Sequence, residues 1–335
     1  MKRLAASAVL VTVALAGCGQ AASSTSSSAS GAAGGASSAA NKKYTVAVSN
    51  LGLNFPFPAA ISKGIKAKAQ ELGVTVTEAD AQGKADKQTS DVQDIIAQRP
   101  DGVLLLPVDS ITSTKWVDQL KTANINTVAV ASQVGDPKTR KLSDVYPKLG
   151  ALVTQDELGA GKKAGELALK ALPQGGKIAV VEGAAGFAEN QLRFDQFLEP
   201  AKAAGVTYDV VARQPGDWVP DKAQAACQNM LQANPGVQLF YALSDDMAVG
   251  CAKAIKAAKS KAVAIGIGGS KLGVDAIKSG EIYGTVCYKP EDMGQLAMQT
   301  LYDEMTGKDT ATARFVTYET PAITKDNVSE CAPQW

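Results

Sequence analysis

The chain has 335 residues, with 34 Lys and Arg against 33 Asp and Glu, a formal net charge of +1 and no histidine. Such a balance excludes a polybasic surface for nucleic acid or anionic membrane. The lack of histidine excludes His-containing catalytic triads and His-based zinc sites. With five cysteines and only 5% Phe, Trp and Tyr, the position of each thiol and each ring is informative.

In chain order, Lys2 and Arg3 open a short basic segment, followed by an apolar run from Leu4 to Ala16. That run is too short to span a bilayer and fits a secretory signal. It ends in Leu15-Ala16-Gly17-Cys18-Gly19, the pattern of a lipobox. Residues 1–17 are therefore expected to be a signal peptide and Cys18 to carry lipid, the plain alternative being a secretory signal with a chance cysteine. Lipid on Cys18 would hold the protein at the cell membrane, on its extracytoplasmic face. From Gln20 to Ala40 the chain is almost entirely Ala, Ser, Gly and Thr. Such a tract buries too little apolar surface to fold, so residues 18–42 read as a lipidated cysteine and flexible tether.

From Lys43 onward, short apolar runs alternate with helical patterns. Tyr44–Ser49 reads as a strand, Ala59–Leu72 as a helix stopped by Gly73, and Val74–Glu78 as a strand. Helix 86–97, strand 103–106, helix 112–122 and strand 127–131 follow. The pattern then restarts with helix 157–172, strand 177–182, helix 191–204, strand 208–212, helix 221–233 and strand 239–242. It continues with helix 246–258, strand 263–267, helix 274–278, strand 283–287 and helix 290–305. The segments QRPDGVLLLPVDS and ANPGVQLFYALSDD echo one another. The expected fold class is α/β, with two similar doubly wound parallel-sheet lobes in series.

Four cysteines lie beyond Cys18: Cys227, Cys251, Cys287 and Cys331. An even number in an exported chain points to two disulfides. Three pairings are open, and Cys227–Cys251 with Cys287–Cys331 is preferred. No CxxC spacing supports a metal, and no cofactor is expected. Gly266-Ile267-Gly268-Gly269 lacks the full GxGxxG spacing. With no Walker A motif and no activated nucleophile, the chain is read as a binding protein rather than an enzyme. Ligands of open α/β sheets bind beyond the carboxyl ends of the strands. The candidate segments therefore run from Ser49–Phe57 through Ser132–Val134 and Gly183–Asn190 to Tyr288–Lys289.

The segments NFPFPAAISKGIKAKAQELG, RPDGVLLLPVDS, DELGAGKKAGELALK, ENQLRFDQF, QPGDW and LSDDMAVGCAKAIKAA resemble type I periplasmic binding proteins. The similarity is to the ribose- and galactose-type sugar-binding components of ABC importers, and it covers nearly all of the chain from Lys43. It implies two lobes joined by a three-segment hinge, one of residues 43–154 plus 289–318, the other of residues 155–288 plus 319–335. It implies a monomer that closes on a small, carbohydrate-like solute and delivers it to an ABC permease. A sensory receptor of the same fold, or a binder of a non-sugar solute, is the alternative. No nucleic acid partner is implied, since a regulator of this fold would need a DNA-binding module.

The resemblance also assigns residues. Phe57, with Phe55 second, would face the flat side of a sugar ring; the alternative is that the rings pack under the loop or staple the helix start. The prolines around them would keep that loop rigid. Trp218 would supply the opposing ring, and Arg193 would donate to vicinal hydroxyls. Replacing either is expected to weaken binding with little loss of fold. Asn190, Ser244 and Asp245 are ligand candidates or helix caps, with Glu189 as a further cap. Asn50, Gln133, Gln155 and Asp156 are rim or hinge candidates beside Ser49. The chain departs from the family where Ala131 and Ser132 replace an Asp-Arg pair, where Gly268 and Gly269 replace an Asp, and where Tyr288 takes a hinge position. These losses imply a pocket less polar than that of a free-sugar binder.

Overall fold

The structure, a computed structural model, describes residues 42–335, and Lys43–Trp335 form one compact unit. The expectations for the signal, the tether and Cys18 lie outside the described residues. The strands are β1 (Thr45–Asn50), β2 (Thr75–Asp80), β3 (Gly102–Leu105), β4 (Asn126–Val130), β5 (Ala151–Val153), β6 (Gly176–Glu182), β7 (Tyr208–Pro215), β8 (Leu239–Ala242), β9 (Val263–Ile265), β10 (Gly284–Val286), β11 (Arg314–Val316) and β12 (Ala322–Thr324). The helices are α1 (Pro56–Leu72), α2 (Ala85–Gln98), α3 (Ser113–Thr122), α4 (Glu157–Ala171), α5 (Glu189–Phe197), α6 (Glu199–Ala203), α7 (Pro220–Ala233), α8 (Asp245–Ala257), α9 (Lys271–Ser279) and α10 (Pro290–Met305).

Two six-stranded sheets result, ordered β11-β5-β4-β3-β1-β2 and β12-β10-β9-β8-β6-β7. The second order repeats the first with equivalent strands. Pairing is parallel except where β12 runs antiparallel to β10. Central strands such as β3 (GVLL) and β8 (LFYA) are wholly buried, as continuous apolar runs are when helices cover both faces of a sheet. Each sheet has its own hydrophobic core. The chain leaves the first sheet after β5, returns to it as β11 after β10 and α10, and crosses again to β12.

Two helix pairs bring these crossings together by close backbone contact. α1 packs on α10, where a side chain on Gly64 would place its Cβ 1.9 Å from the Glu291 carbonyl oxygen. α4 packs on α5 in the second lobe in the equivalent way. In both cases a helix leading out of one sheet lies on the first helix of the other repeat.

Several elements differ from the sequence-based expectation. Helix α1 starts at Pro56, so Phe57 and Pro58 belong to its first turn rather than to a rigid loop. The physical reason is that the first helical N–H groups have no intrahelical acceptor, so a proline there costs nothing and its fixed φ suits the helix. The single helix expected over 191–204 is two, α5 and α6, with Pro200 in the first turn of α6. β5 was not foreseen. It has three residues and follows an irregular stretch from Ala131 to Gly150, and so short a run carries no periodicity.

Cys227 and Cys251 face each other with Cα atoms 5.3 Å apart, and Cys287 and Cys331 with Cα atoms 5.8 Å apart. Among the described residues no helix is long and apolar enough to cross a membrane, and no cluster of metal-ligating side chains occurs.

Candidate functional site

The carboxyl ends of both sheets border one cleft. It holds about 790 Å3 of space, the open solvent at its mouth included. Six rings stand in its walls: Phe55 and Phe57 from the first lobe, Phe187, Trp218 and Trp335 from the second, and Tyr288 from a crossing. Phe57 meets Tyr288 with ring centroids 6.1 Å apart, and Trp218 stands edge-on to Phe187 at 5.6 Å.

Trp218 owes its place to local backbone. Asp217 and Trp218 both adopt left-handed conformations, with φ of 52° and 63°, which are strained for such residues. The indole lies against the Gly183 backbone, where any Cβ would come within 1.8 Å of the ring. Gly183 therefore makes room for Trp218. The indole Nε1 is buried and has no protein acceptor.

The floor of the cleft is a buried ionic network. Arg193 projects from α5 and donates through Nε to Glu157 Oε2 at 2.6 Å and through Nη2 to Glu157 Oε1 at 2.9 Å. Its Nη1 donates to the Leu243 carbonyl beyond β8. Tyr288 donates its hydroxyl to Glu157 Oε2 at 2.9 Å, and Gln155 donates to Glu157 Oε1. The Arg193 guanidinium lies over the Tyr288 ring at 5.3 Å and the Trp218 ring at 5.7 Å. Burial disfavours its charge, but Glu157, Tyr288 and Glu189 together outweigh that and raise its pKa well above the ordinary value. Gln155 is 1% exposed and its Oε1 has no protein donor.

The lobes meet across this floor. Ser132, at the end of β4, donates to Glu189 Oε2 at 3.2 Å. Nearby, the Ser110 N–H donates to the Gly186 carbonyl at 3.0 Å, and the Ala188 N–H donates to Ser110 Oγ at 3.1 Å. Burial, then the neighbouring Glu157 charge, push Glu189 up to about 7, with Arg193 opposing. Burial likewise pushes Asp245 up to about 7, against hydrogen bonds from Thr285 and the Ser270 N–H. For both groups the folded protein holds a proton that the unfolded chain has already lost near pH 4–5. Their contribution to stability is therefore full at low pH and is lost as pH rises through about 7. Melting temperature should fall across that window, and Glu189→Gln should flatten the decline. A profile of the variant parallel to that of the parent would exclude Glu189 as a contributor.

Of the residues expected from sequence, Phe55, Phe57, Ser132, Gln155, Arg193, Trp218, Ser244, Asp245 and Tyr288 line the cleft. Ser244 also caps α8, accepting from the Met247 N–H at 3.3 Å. The other five lie outside the lining and are engaged elsewhere, Ser49 by accepting from Gln88 Nε2 at 3.1 Å. Asn50 donates to Glu78 at 2.9 Å and accepts from the Gly52 N–H, closing the turn after β1. Gln133 donates to the Arg140 carbonyl. Asp156 caps α4, and Asn190 bridges Gly183 and Ala184.

Glu157 and Trp335 fall outside the candidate segments read from sequence, whereas Glu189 lies inside one of them, Gly183–Asn190, and reads there as a further cap. Recognising β5 would have placed Glu157 just beyond a strand end, among the candidates. Trp335 follows no strand and carried no such signal.

A family profile described as "Periplasmic binding protein domain" matches residues 46–309. The ribose import binding protein of Bacillus subtilis is 31% identical over 267 residues, covering 80% of this chain and 83% of that protein. The D-allose-binding periplasmic protein of Escherichia coli is 28% identical over 275 residues, 80% of this chain and 86% of that one. Among solved structures, a Caulobacter myo-inositol binding protein bound to myo-inositol superimposes with a TM-score of 0.77 at 26% identity, over 86% of this chain and 96% of that one. The two-lobed fold, the cleft at the strand ends and these similarities agree, and the chain belongs to the periplasmic binding protein family.

Proposed function

We propose that the protein captures a sugar, modified sugar or polyol in the interlobe cleft and delivers it to an ABC importer. The observation that carries this reading is the cleft's composition. Aromatic walls suit the apolar C–H faces of such a solute. The unpaired Gln155 Oε1 and Trp218 Nε1 offer one acceptor and one donor for hydroxyls, and buried polar groups of this kind are costly to leave unmade. The ribose, D-allose and myo-inositol named for the relatives belong to this solute class. Binding with closure, not chemistry, is the proposed activity. Residues 43–154 with 289–318 act as one lobe and residues 155–288 with 319–335 as the other, and the protein works as a monomer.

A thermal-shift screen of the chain from Asn41 onward tests the reading, with pentoses, hexoses, deoxysugars, polyols, nucleosides and amino acids. A solute that binds only the folded state raises the melting temperature. A rise with one sugar or polyol class supports the proposal. A rise only with nucleosides or amino acids replaces the solute class.

Lipid on Cys18 would keep the receptor at the membrane. Cys18→Ser should then release it from the membrane fraction, and retention of the variant would argue against the anchor. The two cysteine pairs are proposed as disulfides, as befits an exported protein. The chain from Asn41 should show no reactive thiol under denaturing conditions until reductant is added. Thiols titrating without reductant would remove the disulfides from the scheme.

A further inference from the structure

The segment from Cys331 to Trp335 brings a ring to the cleft and is held by both lobes. Cys331 meets Cys287, the residue before Tyr288. Gln334 reaches the start of α10, accepting from the Glu291 N–H at 2.7 Å and the Asp292 N–H at 3.3 Å, and donating to Asp292 Oδ1 at 2.7 Å. The Trp335 carbonyl accepts from the Lys271 N–H at 2.8 Å, at the start of α9. Helix α10 packs on α1 and on strands of the first sheet, whereas α9 packs on α8 and β10 of the second lobe. Five residues therefore bridge the two lobes.

The ring at the end of this bridge lies between the lobes as well. It stands edge-on to Phe57 of the first lobe, centroids 5.3 Å apart at 77°. On the other side it covers Gly268 of the second lobe, where an added Cβ would lie 3.2 Å from the indole. Gly268 has φ of 145°, a conformation open to glycine, so the backbone there stays low and the indole can lie over it.

We propose that Trp335 contacts the bound solute and helps set its size, and that Cys331–Trp335 is a strap fixing that ring as the lobes close. The proposal rests on the reading of the cleft as a solute site. It adds a third ring, beside Phe57 and Trp218, to those that would cover the apolar faces of the solute. A ring tied to both lobes is placed correctly only when they are closed, so its contact with solute favours the closed form.

The test separates the ring from the solute. In Trp218→Phe the remaining tryptophans are Trp116, 1% exposed in the first core, and Trp335, so solvent-sensitive emission reports Trp335. Acrylamide should quench this emission less than that of free tryptophanamide. Cys331→Ser, or the milder Gln334→Ala, should increase the quenching. Quenching equal to that of the free compound, and unchanged by either variant, would overturn the proposal whatever the solute.

D-ribose, D-allose, myo-inositol and xylitol are then titrated. For any that raises the parent's melting temperature, Trp335→Ala should weaken affinity at least about tenfold, or 1.4 kcal/mol, and Trp335→Phe should weaken it less. Unchanged affinity in Trp335→Ala would refute the contact. A flat panel with a shielded, strap-dependent Trp335 would count against the proposed solute class and would uphold the strap.

Discussion

Arg193→Ala is expected to lower the stability of the protein by about 3–5 kcal/mol and to abolish detectable solute binding. Sequence reading anticipated a loss of binding with the fold intact, but the structure changes that expectation. Arg193 is 6% exposed and Glu157 wholly buried, joined by two hydrogen bonds. Removing the guanidinium leaves a buried carboxylate with only Tyr288 and Gln155 as donors. An uncompensated charge in such a place costs far more than the net contribution of the intact pair.

The same variant would remove the floor of the cleft. Three of the five guanidinium N–H groups donate to Glu157 and Leu243, which leaves two for a solute. Paired replacement separates the two roles. Arg193→Met with Glu157→Leu removes both charges together, so melting should recover most of the loss. If solute binding stays absent while melting recovers, the guanidinium itself recognises the solute. If binding returns with stability, Arg193 only positions its neighbours.

Trp218→Ala is expected to weaken binding at least about tenfold, equivalent to 1.4 kcal/mol, with a smaller effect on melting than Arg193→Ala. The ring is half-buried at the cleft, and its other contacts, with Phe187, Gly183 and Arg193, lie on the second lobe. Its removal therefore exposes little core. Trp218→Phe keeps an aromatic face and loses the Nε1 donor, which has no protein acceptor. Phenylalanine should recover the stacking part alone, leaving a deficit of about 0.5–1.5 kcal/mol, the net value of one hydrogen bond. Calorimetric titration of the three forms separates the contributions. Equal affinity of the tryptophan and phenylalanine forms would show that the indole N–H takes no part, and equal affinity of all three would remove Trp218 from the site.

The fold was legible because it follows from local rules. Buried strands of a two-faced parallel sheet read as apolar runs, and amphipathic helices such as α1 show Ile61, Ile65 and Ala69 on one face. Repetition of the pattern implied two lobes. The exceptions were short or ambiguous elements. Three residues in β5 give no period, and the prolines at the start of α1 suit a loop and a first helical turn equally.

The candidate site was legible where one rule applied, that strand ends border the ligand, aided by a family resemblance. Phe57, Arg193, Trp218 and Tyr288 all lie at the cleft. The fold class, the place of the cleft at the strand ends and the type of ring that could line it are legible in the residues alone, because each depends on neighbours along the chain. The pairing of Arg193 with Glu157 across 36 positions, the reach of Ser132 to Glu189 in the other lobe and the contact of Trp335 with Phe57 come from the folded arrangement alone. Burial and charge pairing depend on which distant segments meet in space. In a two-lobed protein those meetings occur at the crossings and between the lobes, where local periodicity carries no information.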